Sequence, residues 1–173
     1  MLNRLFRSNP AREAGEALYA AAAAQARAAR FYTELGVADT REGRFELYTL
    51  HVILLVDRLK GEGGLAGEAR QRLFDRYVKG LDDAFRELGV GDLSVARRVK
   101  ALGQAFYGRL KGFEEATAGE ADAGALGRLL ARTVLEGREA DAPALAAYAA
   151  AARDALSRQS TPALLAGDVA WAA

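Results

Sequence analysis

Apolar positions along the first quarter of the chain fall at helical spacing. Ala14, Leu18, Ala22, Gln25, Ala29 and Tyr32 recur at intervals of three and four, predicting one alanine-rich helix from Ala11 to about Leu35, ended by Gly36. In the turn GVADTREG that follows, Asp39 or Thr40 can cap the next helix by accepting a hydrogen bond from a free backbone N–H. That second helix, around Arg44 to Lys60, carries Phe45, Leu47, Tyr48, Leu50, Val52, Ile53, Leu54, Leu55, Val56 and Leu59 and has almost no polar face. Such a helix is stable only when several neighbours cover it. The β-branched residues of Val52 to Val56 would also suit a strand, but the length of the run and the lack of other strand-like segments favour helix.

The glycine-rich stretch Gly61 to Gly67 reads as a loop. Beyond it, Leu73, Phe74, Tyr77, Val78, Leu81, Ala84, Phe85 and Leu88 form an apolar stripe on a third helix from Leu65 or Ala66 to Leu88. Gly89 is placed to stop that helix in a left-handed conformation, and Gly80 to permit a close helix crossing. The tight link GVGD ends in Asp92, read as the N-cap of a fourth helix reaching about Ala118, with Val95, Val99, Leu102, Phe106, Leu110 and Phe113 inward. So short a link makes the third and fourth helices antiparallel neighbours. Leu126, Leu129, Leu130 and Val134 suggest a fifth helix, and Leu145, Tyr148, Ala152 and Leu156 a sixth starting near Pro143. Thr161 and Pro162 would open a last short helix before the irregular ending GDVAWAA. The pattern predicts an all-α fold: a single compact bundle of about six to seven helices around the apolar second helix, one domain over residues 1–173, with 1–10 a flexible N-terminal segment and 159–173 a loosely packed tail.

Composition narrows the function classes. The chain has 173 residues, of which 51% are hydrophobic, enough for a packed core. With 24 basic and 23 acidic side chains, the formal charge of +1 argues against binding DNA by bulk counterion release. The absence of cysteine excludes disulfides, thiolate metal sites and cysteine nucleophiles. The start, MLNRLFRSNP, lacks the features of a secretory signal, and the most apolar run, Phe45 to Leu59, is shorter than the ~20 residues of a membrane span and contains Glu46, His51, Asp57 and Arg58. These features imply no export and no crossing of a bilayer, as expected of a cytoplasmic protein.

Candidate chemistry is sparse. His51 is the lone histidine, set among apolar residues, and reads as a buried or half-buried side chain bonded to a neighbouring helix rather than a ligand or base. Asp82 and Asp83, and Glu114 and Glu115, diverge by about 100° on their helices and cannot share a site. Asp75 and Asp82 could line one face, but Asp82 is spaced to pair with Arg86. Nothing here favours an enzyme, a metal or a cofactor. Basic residues gather on the fourth helix at Arg97, Arg98, Lys100, Arg109 and Lys111, interleaved with Phe106 and Tyr107, and suit lipid, RNA, a protein partner or a plain solvated face. Leu2, Leu5 and Phe6 beside Arg4 and Arg7 could form one amphipathic turn on an anionic membrane, but one turn buries little apolar area, and a frayed terminus or packing onto the first helix is favoured.

Two collinear blocks carry a resemblance. FYTELGVADTREGRFELYTLH, from Phe31 to His51, and FDRYVKGLDDAFRELGVGDLSVARRVK, from Phe74 to Lys100, followed by FYGR at Phe106 to Arg109, resemble the ubiquinol–cytochrome c chaperone family. One departure is the segment before RELGVGD, where Tyr77, Val78, Gly80 and Leu81 stand in place of a methionine-rich, more acidic stretch. The resemblance implies a bacterial-type, non-enzymatic assembly chaperone without cofactor. It would bind nascent or newly inserted cytochrome b and promote assembly of the ubiquinol–cytochrome c reductase complex, with the ribosome and the anionic membrane surface as further partners. It also singles out Arg44, Glu46, Asp82, Arg86, Arg97, Arg98, Lys100, Tyr107 and Arg109 as partner-binding residues or as polar bonds that hold the turns, with Asp92 in the structural role. The alternative is a peripheral membrane or ribosome-associated helical adaptor without client specificity.

Overall fold

Thr40 opens the helix on which the rest of the molecule packs: its hydroxyl accepts from the Gly43 N–H at 3.0 Å, one of the two caps the turn sequence allows. Asp39 instead holds Arg44. The computed structural model describes residues 9–89, 91–119 and 122–172. In order these form α1 (Pro10–Gln25), α2 (Arg30–Thr33), α3 (Arg41–Arg58), α4 (Gly64–Glu87), α5 (Asp92–Ala116), α6 (Ala125–Thr133), a single 3-10 turn (Glu139–Asp141), α7 (Ala142–Ser157) and α8 (Thr161–Leu165). Among the described residues the fold is all-helical. It has seven helices when the one-turn α2 is set aside.

Helix α3 is the hub. It touches α1, α4, α5 and α7, and every residue from Leu50 to Val56 is buried. That surround explains how a helix with almost no polar face is stable in water. Around it one continuous apolar cluster draws Leu18 and Ala22 from α1, Leu73 and Tyr77 from α4, Phe106 and Phe113 from α5, Leu130 from α6, and Leu145 and Tyr148 from α7.

Helices α1 and α4 pack most extensively. They come close at Gly15, where a Cβ would lie only 2.5 Å from the Cβ of Arg72. The glycine singled out from sequence, Gly80, meets α1 as well, with a hypothetical Cβ 3.2 Å from the Tyr19 hydroxyl. Gly89 ends α4 with φ of +73°, the left-handed stop its position predicts. Helix α5 buries Val95, Phe106, Leu110 and Phe113, with Val99 and Leu102 half-buried.

Four boundaries differ from expectation. The predicted Ala11–Leu35 helix breaks after Gln25 and resumes at Arg30. Measured from Ala22 on the buried face, Phe31 of a straight helix would point about 180° away from the core. The break turns Phe31 inward until it is fully buried, and leaves Ala29 exposed. Helix α4 begins at Gly64, inside the glycine run expected to be all loop, with Gly63 in the cap position. Gly91, not Asp92, occupies the N-cap of α5, and Asp92 stands in its first turn bonded to Arg86. Ser160 rather than Thr161 caps α8, which leaves the Thr161 hydroxyl free to donate to Glu62 at 3.1 Å.

After α8 the backbone is irregular, and it is held at several points. Leu164 is fully buried. The Gln159 side chain donates to the Ala170 carbonyl at 2.7 Å and accepts from the Ala170 N–H at 2.9 Å. The Trp171 ring meets His51 edge-on, with centroids 5.0 Å apart. The N-terminal amphipathic turn expected at Leu2 to Arg7 lies outside the described residues.

Candidate functional site

Four half-buried aromatic rings and three exposed arginines gather between α1 and α3. A groove of about 690 Å³ runs between Tyr19, Ala23, Ala26 and Arg27 on one side and Arg41, Arg44, Phe45 and Tyr48 on the other. The α3 wall is one stripe at spacings of three and four, while on the other side Tyr19 and Ala23 share a stripe of α1 and Ala26 and Arg27 follow just past its end. Small Ala23 and Ala26 form a shallow floor, flanked by the rings of Tyr19, Tyr32, Phe45 and Tyr48, all half-buried. The break after Gln25 supplies the end wall: α2 swings Tyr32 back, so that its hydroxyl donates to the Ala26 carbonyl at 2.6 Å.

The charge of this groove is uneven. Asp39 binds Arg44 at 2.6 Å, and that guanidinium, 5.8 Å from the Tyr32 ring centre, holds the Asp39 carboxyl below its usual range. Arg27 and Arg41 are exposed and make no ion pair among the described residues. Burial raises the Tyr32 phenol above its ordinary value, with Arg44 opposing the shift. The Tyr48 hydroxyl is buried beneath the groove without a hydrogen-bond partner among the described residues, and its phenol is likewise pushed up by desolvation. Both rings are therefore neutral donors at physiological pH.

The residues singled out from the two blocks separate into bonded pairs and free side chains. Glu46 of α3 and Arg109 of α5, 63 positions apart, form a two-pronged bond with Nε to Oε2 at 2.8 Å. Their side chains are only 17% and 25% exposed, and burial lifts the Glu46 carboxyl above its ordinary value despite the guanidinium. The pair joins the first block to the FYGR segment that follows the second. Arg86 clasps Asp82 at 2.6 Å and also Asp92, bridging the end of α4 to the start of α5 across the GVGD turn. Arg44 lines the groove.

Arg97, Lys100 and Tyr107 lie on the outward stripe of α5, with Tyr107 55% exposed and 5.1 Å from the Phe74 ring. Arg98 covers the Phe85 ring at 5.7 Å. Lys111 faces Glu115 at 3.7 Å, and Glu114 turns to Lys60 at 2.8 Å. Asp75 accepts from Gln71 at 2.8 Å and shares no site with Asp82. Sequence reasoning overlooked Tyr19, Arg27, Tyr32, Arg41, Phe45 and Tyr48 as a set. The signal available was the stripe Tyr19, Ala23, Arg27, which looks like any helix face until α3 is placed beside it.

His51 is sealed in the core, as its surroundings predicted. Its Nδ1–H donates to the Leu47 carbonyl at 2.8 Å, and its Nε2 accepts from the Tyr148 hydroxyl at 2.8 Å. The Tyr148 oxygen in turn accepts from Gln25 at 3.1 Å. Every polar atom of the ring is satisfied by its neutral form, and burial lowers its pKa from 6.5 to about 4. Among the described residues no group of three or more His, Asp or Glu is placed to hold a metal ion, and no helix is long and apolar enough to cross a membrane.

Residues 33–171 match the family described as Ubiquinol-cytochrome C chaperone. The chain belongs to that family. The crystal structure of the Cbp3 homolog from Brucella abortus superposes on this family member with a TM-score of 0.85 at 36% sequence identity, covering 100% of this chain and 97% of that one. No curated protein sequence matches. The family match takes in the α3 wall of the groove, while Tyr19, Arg27 and Tyr32 on the opposite wall precede it and fall within the structural match.

Proposed function

We propose that this family member is an assembly chaperone without catalytic activity that binds newly made cytochrome b and promotes assembly of the ubiquinol–cytochrome c reductase complex. Its membership in the chaperone family, over residues 33–171, carries the reading. The groove between α1 and α3 supports it, because a concave aromatic surface with charged rims suits a transiently held peptide segment. No turnover chemistry is required, only differential affinity for the unassembled client. The protein acts as a single helical unit at the cytoplasmic face of the membrane that receives the client.

Deleting the gene should lower the assembled reductase, read as the complex on native gels and as its b-type haem absorbance, and the wild-type chain should restore it. A photo-crosslinking residue in place of Phe45 should capture cytochrome b during synthesis. Normal accumulation of the reductase in the deletion strain under respiratory growth would end this reading. A specific feature favours a second one, a peripheral membrane or ribosome adaptor: Arg97, Lys100 and Lys111 share the outward stripe of α5 with exposed Tyr107. Co-sedimentation with anionic vesicles and with ribosomes across a salt series separates the two, since adaptor binding would be salt-sensitive and independent of client.

A further inference from the structure

We infer that the α1–α3 groove is a receptor for an acidic peptide segment bearing an aromatic side chain, with Arg27 and Arg41 reading its carboxylates and the tyrosine and phenylalanine walls taking its ring. This rests on the proposed chaperone reading and specifies the chemistry of the segment that is held. Charge complementarity carries the inference. Among the residues lining the groove, Arg27, Arg41 and Arg44 face a single carboxylate, Asp39. Asp39 is committed to Arg44 at 2.6 Å, so two guanidiniums at the rim have no ion-pair partner among the described residues. In two other grooves the lining arginines are bonded to carboxylates: Arg58 and Arg153 in one, Arg109 in the other.

The apolar half of the recognition is equally specific. Tyr19, Tyr32, Phe45 and Tyr48 are half-buried, so each ring is held by packing yet keeps part of its surface open. The alanine floor lets an incoming side chain approach the α1 backbone closely, and about 690 Å³ has room for several side chains. An aromatic side chain would lie among these rings, and a neighbouring carboxylate would form fork-like bonds with arginine. A basic segment would meet two uncompensated positive charges.

The test uses the full chain and three short fluorescein-labelled peptides: one alternating glutamate with phenylalanine, one with lysine for every glutamate, and one with serine for every phenylalanine. Fluorescence anisotropy should show the first binding at least about tenfold tighter than either of the others. The double variant Arg27→Glu/Arg41→Glu should reverse the charge preference, favouring the lysine peptide. Both arginines are exposed, so circular dichroism should show the variant folded like the wild type. Phe45→Ser should weaken the first peptide severalfold without changing the order of the charges. Equal affinity for the acidic and basic peptides, binding of none, or an unchanged preference in the charge-reversed variant would overturn the inference. In cells, reductase assembly that still depends on the chain while the peptide preference is absent would remove this inference and leave the chaperone reading standing. A peptide preference in a protein that the reductase does not need would do the reverse.

Discussion

At the scale of single residues, His51 shows how burial decides chemistry. A neutral imidazole bonded on both nitrogens and enclosed by Phe31, Tyr148 and Trp171 gains no stability from a proton. Its pKa falls from 6.5 to about 4, so as the pH drops the unfolded chain takes up the proton first. The contribution of His51 is therefore fully present above pH 6.5 and is lost as the pH falls to about 4. Between pH ~7.5 and ~5 this amounts to about 2 kcal/mol. Urea denaturation should find that loss in the wild type and a flatter pH dependence in His51→Gln, whatever the variant's absolute stability. Parallel pH profiles would contradict the buried neutral state.

Elements are decided by a competition between local propensity and packing, and two glycines separate the terms. Gly108 sits exposed within α5 with open space where a Cβ would go. Gly108→Ala should therefore stabilise by about 0.5–1 kcal/mol through helix propensity alone. Gly15 is also within a helix, but its Cβ would lie 2.5 Å from the Cβ of Arg72 and 3.0 Å from that residue's backbone carbon. Gly15→Ala should force α1 from α4 and destabilise by about 1–3 kcal/mol, outweighing the same propensity gain. Thermal denaturation of the two variants should move the midpoint in opposite directions. The break after Gln25 belongs to the same competition: alanine favours continuing the helix, and burial of Phe31 against His51 and Tyr148 wins.

For the molecule as a whole, the C-terminal segment is the clearest case of long-range order. Arg58, at the end of α3, donates to the carbonyls of Leu156 and Gln159 at 2.9 Å and so closes the end of α7. Trp171 then lies against His51. Because it is the sole tryptophan, its fluorescence reports this segment alone. Its unfolding transition should coincide with that of the far-ultraviolet circular dichroism, and Trp171→Ala should cost about 1–3 kcal/mol for a ring that is only partly buried. A fluorescence change well before the helices melt would mean that the segment is not part of the cooperative unit.

Much of the fold was legible because it is written in neighbouring residues. The apolar ring of α3, the Thr40 cap, the left-handed stop at Gly89 and the i,i+4 pairing of Asp82 with Arg86 each depend on a few residues close in the chain. So does the burial of His51 among apolar neighbours. The two blocks also carried the family, because their order and spacing survive as sequence. Tertiary structure alone decided the rest. That Glu46 would find Arg109 across 63 positions, that a helix of excellent formers would break to bury Phe31, and that Tyr19 and Arg27 would face Arg41 and Phe45 across a groove depend on which surfaces meet. No local pattern encodes such meetings, since the energy of a contact exists only once both partners are in place. The sequence by itself therefore determined the helices and the family, and the packing of α1 and α2 against α3 created the candidate site.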